Sequence, residues 1–301
     1  MFDRRKNIAL IIIFLSVIFF CLFFLYLYKY KKNNSTTYYG ASPKDIVSYK
    51  QIGKGCGNVY INDKLVKLKP KKIPIKVLYE DNNMAVVAKP AGLLSIPSST
   101  DIENSLVNAL LFMYGDNLSD ADGELCRGIV HRLDKDTSGI LMIAKNNKTR
   151  DYLKKKIKEH QITKKYLAIV KGVIKEDRII IDKKIKEDPN KKFKMKIDKN
   201  NGKASKTIVK VLKRYKDATF VEVQIITGRT HQIRVHMASV GHPVLNDELY
   251  GTSENFKDIK GQILMSYKLI FPHPFDGKEI KIQIPPEKRI EKVLEILDKN
   301  N

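Results

Sequence analysis

The stretch Gly128-Ile-Val-His-Arg-Leu-Asp-Lys-Asp-Thr-Ser-Gly-Ile140 carries polar residues and a glycine between two apolar ends. That pattern places His131 to Gly139 on a loop leading into a buried strand. A carboxylate on such a loop can be held rigidly and still face a cleft, as a nucleophile requires. Asp134 and Asp136 both occupy such a position. Each also suits a turn or cap, with its side chain bonding nearby backbone amides. A second polar string runs Thr227-Gly-Arg-Thr-His-Gln-Ile-Arg-Val-His-Met237. Thr230 reads as a helix N-cap and Gly241 as the C-terminal stop, with Pro243 just beyond. Arg234 then lies one turn into a helix. On residue type alone it is an exposed arginine of a basic protein.

The elements that must position these strings alternate in type. Val77 to Tyr79, Ala85 to Ala88, Tyr166 to Val170 and Thr219 to Ile226 read as strands, and Ile140 to Ala144 as a central one. Tyr166 is then a core residue of its strand. Residues 148–160 place Leu153 and Ile157 on one face and many lysines on the other, the pattern of an exposed amphipathic helix. Regular strand-helix-strand units are few, which argues for an α+β fold over a doubly wound sheet.

The chain has 301 residues and a formal net charge of +23. Such an excess favours phosphate backbones or anionic lipid, although a generally Lys- and Asn-rich sequence accounts for much of it. Cys21, Cys56 and Cys126 are odd in number and far apart, so no disulfide framework or metal knuckle is visible. The histidines do not cluster, and no P-loop or dinucleotide fingerprint is present. No metal and no cofactor is expected.

Residues 7–28 form an uncharged apolar stretch of transmembrane length, flanked by Arg4, Arg5 and Lys6 before and Lys29, Lys31 and Lys32 after. It lacks the small-residue cleavage site of a secretory signal. An uncleaved membrane anchor is the expectation for residues 1–32, with a signal peptide or two-part organelle leader as alternatives. Basic residues on both sides leave its orientation open. Residues 33–47 read as a polar linker. Residues 48–75 read as a short β-rich segment, with a hairpin turning at Asn62-Asp63.

The string His131-Arg-Leu-Asp-x-x-Thr-Ser-Gly139 closely resembles the catalytic signature of the RluA-type RNA pseudouridine synthases. Other strings follow in the family's order. Lys89-Pro-Ala-Gly92 is similar to its Lys-Pro-x-Gly turn. Lys165-Tyr-Leu-Ala168 with Gly172 is similar to its Lys-x-Tyr-x-Ala strand. Gly202-Lys-Ala204 with Thr207, and the 227–237 string, match further elements. The 48–75 segment resembles part of a small RNA-binding module often fused ahead of such enzymes. The resemblance spans roughly residues 76–288, within a catalytic domain placed at 76–301.

The resemblance implies a mixed, mainly antiparallel β-sheet with flanking helices and a central active-site cleft. It implies Asp134 as nucleophile, Arg234 in a salt bridge with it, and Tyr166 packing against the target base. A bidentate arginine would keep such a carboxylate ionised and oriented. Arg132 is implied beside the flipped nucleotide. His131, Thr137, Arg229, His231 and Gln232 are implied in substrate binding. Asp136 falls at a variable position and keeps its turn reading. Asn246-Asp247 stands where the family has Gly-Asp, and Met265-Ser266 where it has His-Ala. These departures are expected to leave Asp134, Arg234 and Tyr166 untouched.

The implied activity is isomerisation of uridine to pseudouridine in structured RNA, ribosomal RNA first and transfer RNA second. The implied partner is RNA, and a monomer is expected. A non-catalytic RNA-binding protein of the same fold would show decay of the 131–139 string, and none is present. A membrane-surface protein binding anionic lipid would account for the charge but not for the long polar motifs. The catalytic domain is expected to face the RNA-containing compartment, or to lie in an organelle lumen or the cytoplasm if the leader is removed.

Overall fold

The structure, a computed structural model, describes residues 48–51, 56–61, 64–65, 67–98, 101–191, 193–251, 256 and 258–300. The apolar stretch at 7–28 lies outside them. Among the described residues no helix is long and apolar enough to cross a membrane.

A small antiparallel sheet comes first, from β1 (Ser48–Gln51), β2 (Gly57–Ile61) and β3 (Lys64–Leu65). Ile61 lies opposite Lys64 across the hairpin. The main sheet uses β4 (Lys76–Glu80), β5 (Met84–Lys89), β6 (Ser138–Ala144), β7 (Thr163–Lys171) and β8 (Arg178–Asp182). Past the separate hairpin of β9 (Ile185–Glu187) and β10 (Met195–Ile197), it adds β11 (Lys206–Arg214), β12 (Ala218–Ile225), β13 (Leu264–Pro272) and β14 (Glu279–Gln283). Its order is β4-β5-β6-β13-β7-β12-β11-β8, with β14 pairing β13. Only β6 and β13 pair in parallel, so the described sheet is mixed and mainly antiparallel.

Among the described residues the α-helices are α1 (Leu106–Tyr114), α2 (Asn147–Lys158), α3 (Gln232–Ser239) and α4 (Lys288–Lys299). They cover both faces of the sheet, and strand alternation divides the core accordingly. Ala85, Val87, Leu141, Ile143, Tyr166 and Ala168 face one way, packed with Leu106 and Leu110 of α1 and Ile233 and Met237 of α3. Met84, Val86, Ile140 and Met142 face the other way with Leu153 of α2, as do Leu167 and Ile169 with Ile290 and Val293 of α4. Strand β6 is buried on both faces, which explains its unbroken apolar run.

The parallel junction is short: only Ser138 and Gly139 pair with β13. Gly139 is therefore a strand residue and not part of the loop. Its φ is +112°, and a Cβ there would overlap the Ser266 backbone, so only glycine lets the strands approach. Beyond it the edge of β6 is covered by the incoming chain. Ala144 N–H donates to the Gly128 carbonyl (2.9 Å), Ile129 bridges Ile143, and Met142 N–H donates to His131 Nε2 (3.1 Å).

Two other expectations are corrected. Cys56 and Cys126 form a disulfide across 70 residues. It ties the small sheet to the turn at Glu124–Cys126, where Glu124 N–H also donates to Asn58 Oδ1 (2.8 Å). Sequence spacing did not reveal the pair because the two cysteines meet only through tertiary packing. Thr230 is not the N-cap of α3. That position is His231, in the left-handed region at φ 53° with no side-chain cap bond. Thr230 Oγ1 instead accepts from Arg132 Nη2 (3.2 Å).

Candidate active site

The loop bearing Asp134 is fixed from several sides. Ser95 Oγ donates to the Leu133 carbonyl (2.6 Å) and accepts from Leu133 N–H (3.0 Å). Lys89, 1% exposed, spends its three ammonium protons on the carbonyls of Pro90, Leu93 and Lys135, at 2.9, 2.7 and 2.9 Å. Burial pulls its pKa down to about 7, against the opposing charges of Asp136 and Asp134. Thr137 is buried, and its Oγ1 accepts from Gln262 Nε2 (3.0 Å). The Asp136 carbonyl accepts from Arg289 Nη2 (3.1 Å) in a turn where Thr137 N–H donates to the Asp134 carbonyl.

Asp134 sits half-buried with Oδ2 accepting from Arg234 Nη1 at 3.0 Å. The rest of that guanidinium is held by a buried carboxylate. Asp247 takes Nε at 2.6 Å and Nη2 at 2.8 Å. Burial alone would lower the Arg234 pKa, but the bonds and charge of Asp247, then Asp134, outweigh it and raise the pKa. Tyr250 completes this support, with its ring centroid 5.1 Å from the guanidinium carbon. Its hydroxyl accepts from Met195 N–H (2.7 Å) and lies 2.9 Å from His231 Nδ1. Burial chiefly raises the Tyr250 pKa to about 12.

Asp247 and Tyr250 were not among the expected site residues. Of the two departures expected to leave the site untouched, Asn246 makes no bond to Arg234, which its neighbour Asp247 holds, but Ser266 lies directly opposite Tyr166 in the β13–β7 register. Asn246 itself adopts φ 58°, a left-handed conformation that Asn tolerates better than most residues. Its Nδ2 donates to the Phe256 and Ile259 carbonyls. The signal was present in the Asp-x-x-Tyr-Gly spacing, but nothing local tied it to residue 234.

The expected residues separate into two groups. Asp134, Arg234, His231, Tyr166 and Arg132 converge on one hollow. His231 Nε2 is 3.8 Å from Asp134 Oδ2, and burial foremost lowers its pKa. Tyr166 is buried, with its phenol pKa raised chiefly by burial and next by the Asp134 charge. Arg132 is exposed at the rim. The others act as wall and frame. His131 is bonded to β6, and burial, then the Lys164 charge, push its pKa down to about 3. Gln232 is buried: it accepts from Thr227 Oγ1 and Arg229 N–H and donates to the Lys206 carbonyl and Thr207 Oγ1. Arg229 is exposed and donates through Nε to the Ala204 carbonyl (3.0 Å).

The strand lysine also needs correction. Residues i and i+2 share a strand face, so Lys164 and not Lys165 accompanies Tyr166. Lys164 is buried and lines the cavity, whereas Lys165 pairs with Glu222 (2.8 Å) on the other face. The match to Lys-x-Tyr-x-Ala therefore begins at Lys164.

The cavity at Asp134 measures about 340 Å³ and is lined by Tyr166, Ile225, Ile233, Arg234 and Leu264 among others. A wider hollow of about 860 Å³ shares Arg132, Asp134, His231 and Arg234 and extends under the β9–β10 hairpin. Among the described residues no group of three or more His, Cys, Asp or Glu side chains is placed to hold a metal ion. The arrangement offers an anchored carboxylate, an apolar and aromatic pocket beside it, and a basic rim.

The family model for RNA pseudouridylate synthase matches residues 83–239. An "Uncharacterized RNA pseudouridine synthase" of Aquifex aeolicus (strain VF5) is 40% identical over 243 residues, covering 78% of this chain and 76% of that protein. The "Ribosomal large subunit pseudouridine synthase D" of Neisseria meningitidis serogroup B is 34% identical over 268 residues, covering 85% and 70%. The solved structure "Human RNA Pseudouridylate Synthase Domain Containing 1" shares the fold at a TM-score of 0.58 and 24% identity, covering 75% of this chain and 95% of that one. With its signature loop, its fold and these relatives in agreement, the chain belongs to the RNA pseudouridylate synthase family and is an isomerase of uridine in RNA.

Proposed function

We propose that the chain isomerises specific uridines of large-subunit ribosomal RNA, with Asp134 as the nucleophile and the target base everted into the cavity beside it. The supporting observation is the 3.0 Å bond from Arg234 to Asp134 at the edge of a cavity of about 340 Å³. That volume is at the lower end of the range for small-molecule sites, about 300 to 1,000 Å³. The ribosomal assignment rests on relatives named for the large ribosomal subunit.

A base stacked in a helix cannot reach such a carboxylate, so it must be extruded, at a cost of a few kcal/mol. Packing against Tyr166 offsets this, since stacking on an aromatic contributes about 1 to 3 kcal/mol per base. Arg132, exposed at the rim, is positioned to fill the gap that the base leaves. Asp134 then attacks the everted nucleotide, at the ribose anomeric carbon or at the uracil ring, and the glycosidic bond breaks. The detached uracil turns within the cavity and rejoins the ribose through C5, whose hydrogen leaves to solvent while N1 takes up a proton, and Asp134 is released. No redox change occurs and no phosphate energy is required.

Asp134→Asn tests this. Site-resolved pseudouridine mapping of ribosomal RNA should show the modification with the native protein and its loss with the variant, while RNA affinity changes little. Pseudouridine formation at an undiminished rate by the variant would remove Asp134 from the mechanism.

A further inference from the structure

Among the described residues, Lys164 is the one lysine of the cavity wall that the chemistry above leaves unused and that no carboxylate neutralises. Lys154, which also lines the cavity, is paired with Asp122 (2.5 Å). Lys164 is 6% exposed, and its amine lies 3.5 Å from where a Cβ on Gly228 would stand. Gly228 and Arg229 are exposed, so the amine is close to the cavity mouth. Among the described residues it has no hydrogen-bond acceptor and no ion-pair partner. Its pKa is depressed to about 8 by burial alone, with no carboxylate charge opposing. A buried, unpaired ammonium is costly, and a neutral uracil carbonyl offsets that cost poorly. A backbone phosphate carries the full charge that does offset it, and stays at the mouth when a base is everted.

We propose that Lys164 binds a backbone phosphate of the everted nucleotide, fixing the sugar while the base lies against Tyr166 two residues along the same strand. This deepens the RNA-isomerase reading and rests on it. Gly228 leaves the amine uncovered on that side, since a Cβ there would stand in van der Waals contact with it at 3.5 Å. Neighbouring groups fit this assignment. His131, whose pKa burial and then the Lys164 charge push down, is held neutral and does not compete for the anion. Arg229 is free to add an outer contact through its remaining guanidinium N–H groups.

The probe is a large-subunit ribosomal RNA transcript from the source organism, labelled with [5-³H]uridine and combined with the full chain. Tritium release reports isomerisation, and RNA affinity is measured against salt. Lys164→Met should weaken RNA binding roughly tenfold and make the slope of log affinity against log salt shallower by about one, the signature of one lost phosphate contact. The activity loss should fall mainly on KM, and Lys164→Arg should restore the salt slope. An unchanged slope in Lys164→Met would overturn the assignment. So would a fall confined to kcat, which would place the charge on uracil. In the unmodified protein, saturating RNA should slow acetylation of Lys164, read by mass spectrometry, and no slowing would also overturn it. If the native chain releases no tritium, the activity on that RNA is refuted, while the slope comparison still decides the role of Lys164.

Discussion

At the scale of single residues, the site is an arginine shared between two carboxylates of unequal burial. Asp247 is fully buried and takes two of the guanidinium's donor atoms, leaving Nη1 aimed at Asp134. The fixed fork of an arginine makes this division geometric, and a lysine could not reproduce it. Asp247→Asn keeps the shape and removes the charge. Breaking one partner of a buried pair typically costs about 3 to 5 kcal/mol. Urea unfolding should therefore show the variant losing about 3 kcal/mol or more. Single-turnover modification should slow at least about tenfold as the arginine reorients towards Asp134. Unaltered stability together with unaltered rate would show that Asp247 does not anchor Arg234.

At the scale of elements, β6 and β13 pair over only two residues and then part. The segment before the Asp134 loop covers the exposed edge of β6, and His131 closes it by accepting from Met142 N–H. That bond requires Nε2 to be unprotonated. The native pKa of His131 lies near 3 and the unfolded value near 6.5. Between those values the unfolded chain binds the extra proton, so stability falls as pH drops through 6.5 towards 3. Above pH 6.5 this contribution is fully present. The melting temperature should decline from pH 7.5 to pH 5. In His131→Gln, whose amide oxygen can accept the same bond without titrating, the decline should be smaller. An equal decline in both proteins would assign the acid sensitivity elsewhere.

At the scale of the whole molecule, the small β1–β3 sheet is joined to the catalytic body by the Cys56–Cys126 disulfide and by the Glu124 contacts. Leu68 N–H donates to Glu124 Oε1 (2.9 Å), beside the Asn58 bond. A cross-link closing a loop of this length removes unfolded-state freedom, typically contributing about 2 to 4 kcal/mol. Cys126→Ser should lower the melting temperature by several degrees. Thiol titration of the native protein under denaturing conditions should find one free cysteine, Cys21, before reduction and three after. Three free thiols without reductant would show that the bond does not form.

The sequence by itself determined what depends on neighbours along the chain. Short apolar runs bounded by polar residues placed β5 and β7, the Thr219 to Ile226 pattern placed β12, and an unbroken apolar run placed the central β6. Lysine-faced periodicity placed α2, and the 131–139 string singled out Asp134. Only the tertiary structure decided what depends on distant residues meeting. It brought Asp247 against Arg234, paired Cys56 with Cys126, and set β13 parallel to β6 so closely that residue 139 must be glycine. It also turned the face of β7 that carries Lys164 and Tyr166 towards the cavity, whereas the spacing along the strand already put those two side chains together. Local patterns specify which way a side chain can point along its own strand or helix, but the partner it finds there is set by how the sheet closes around it.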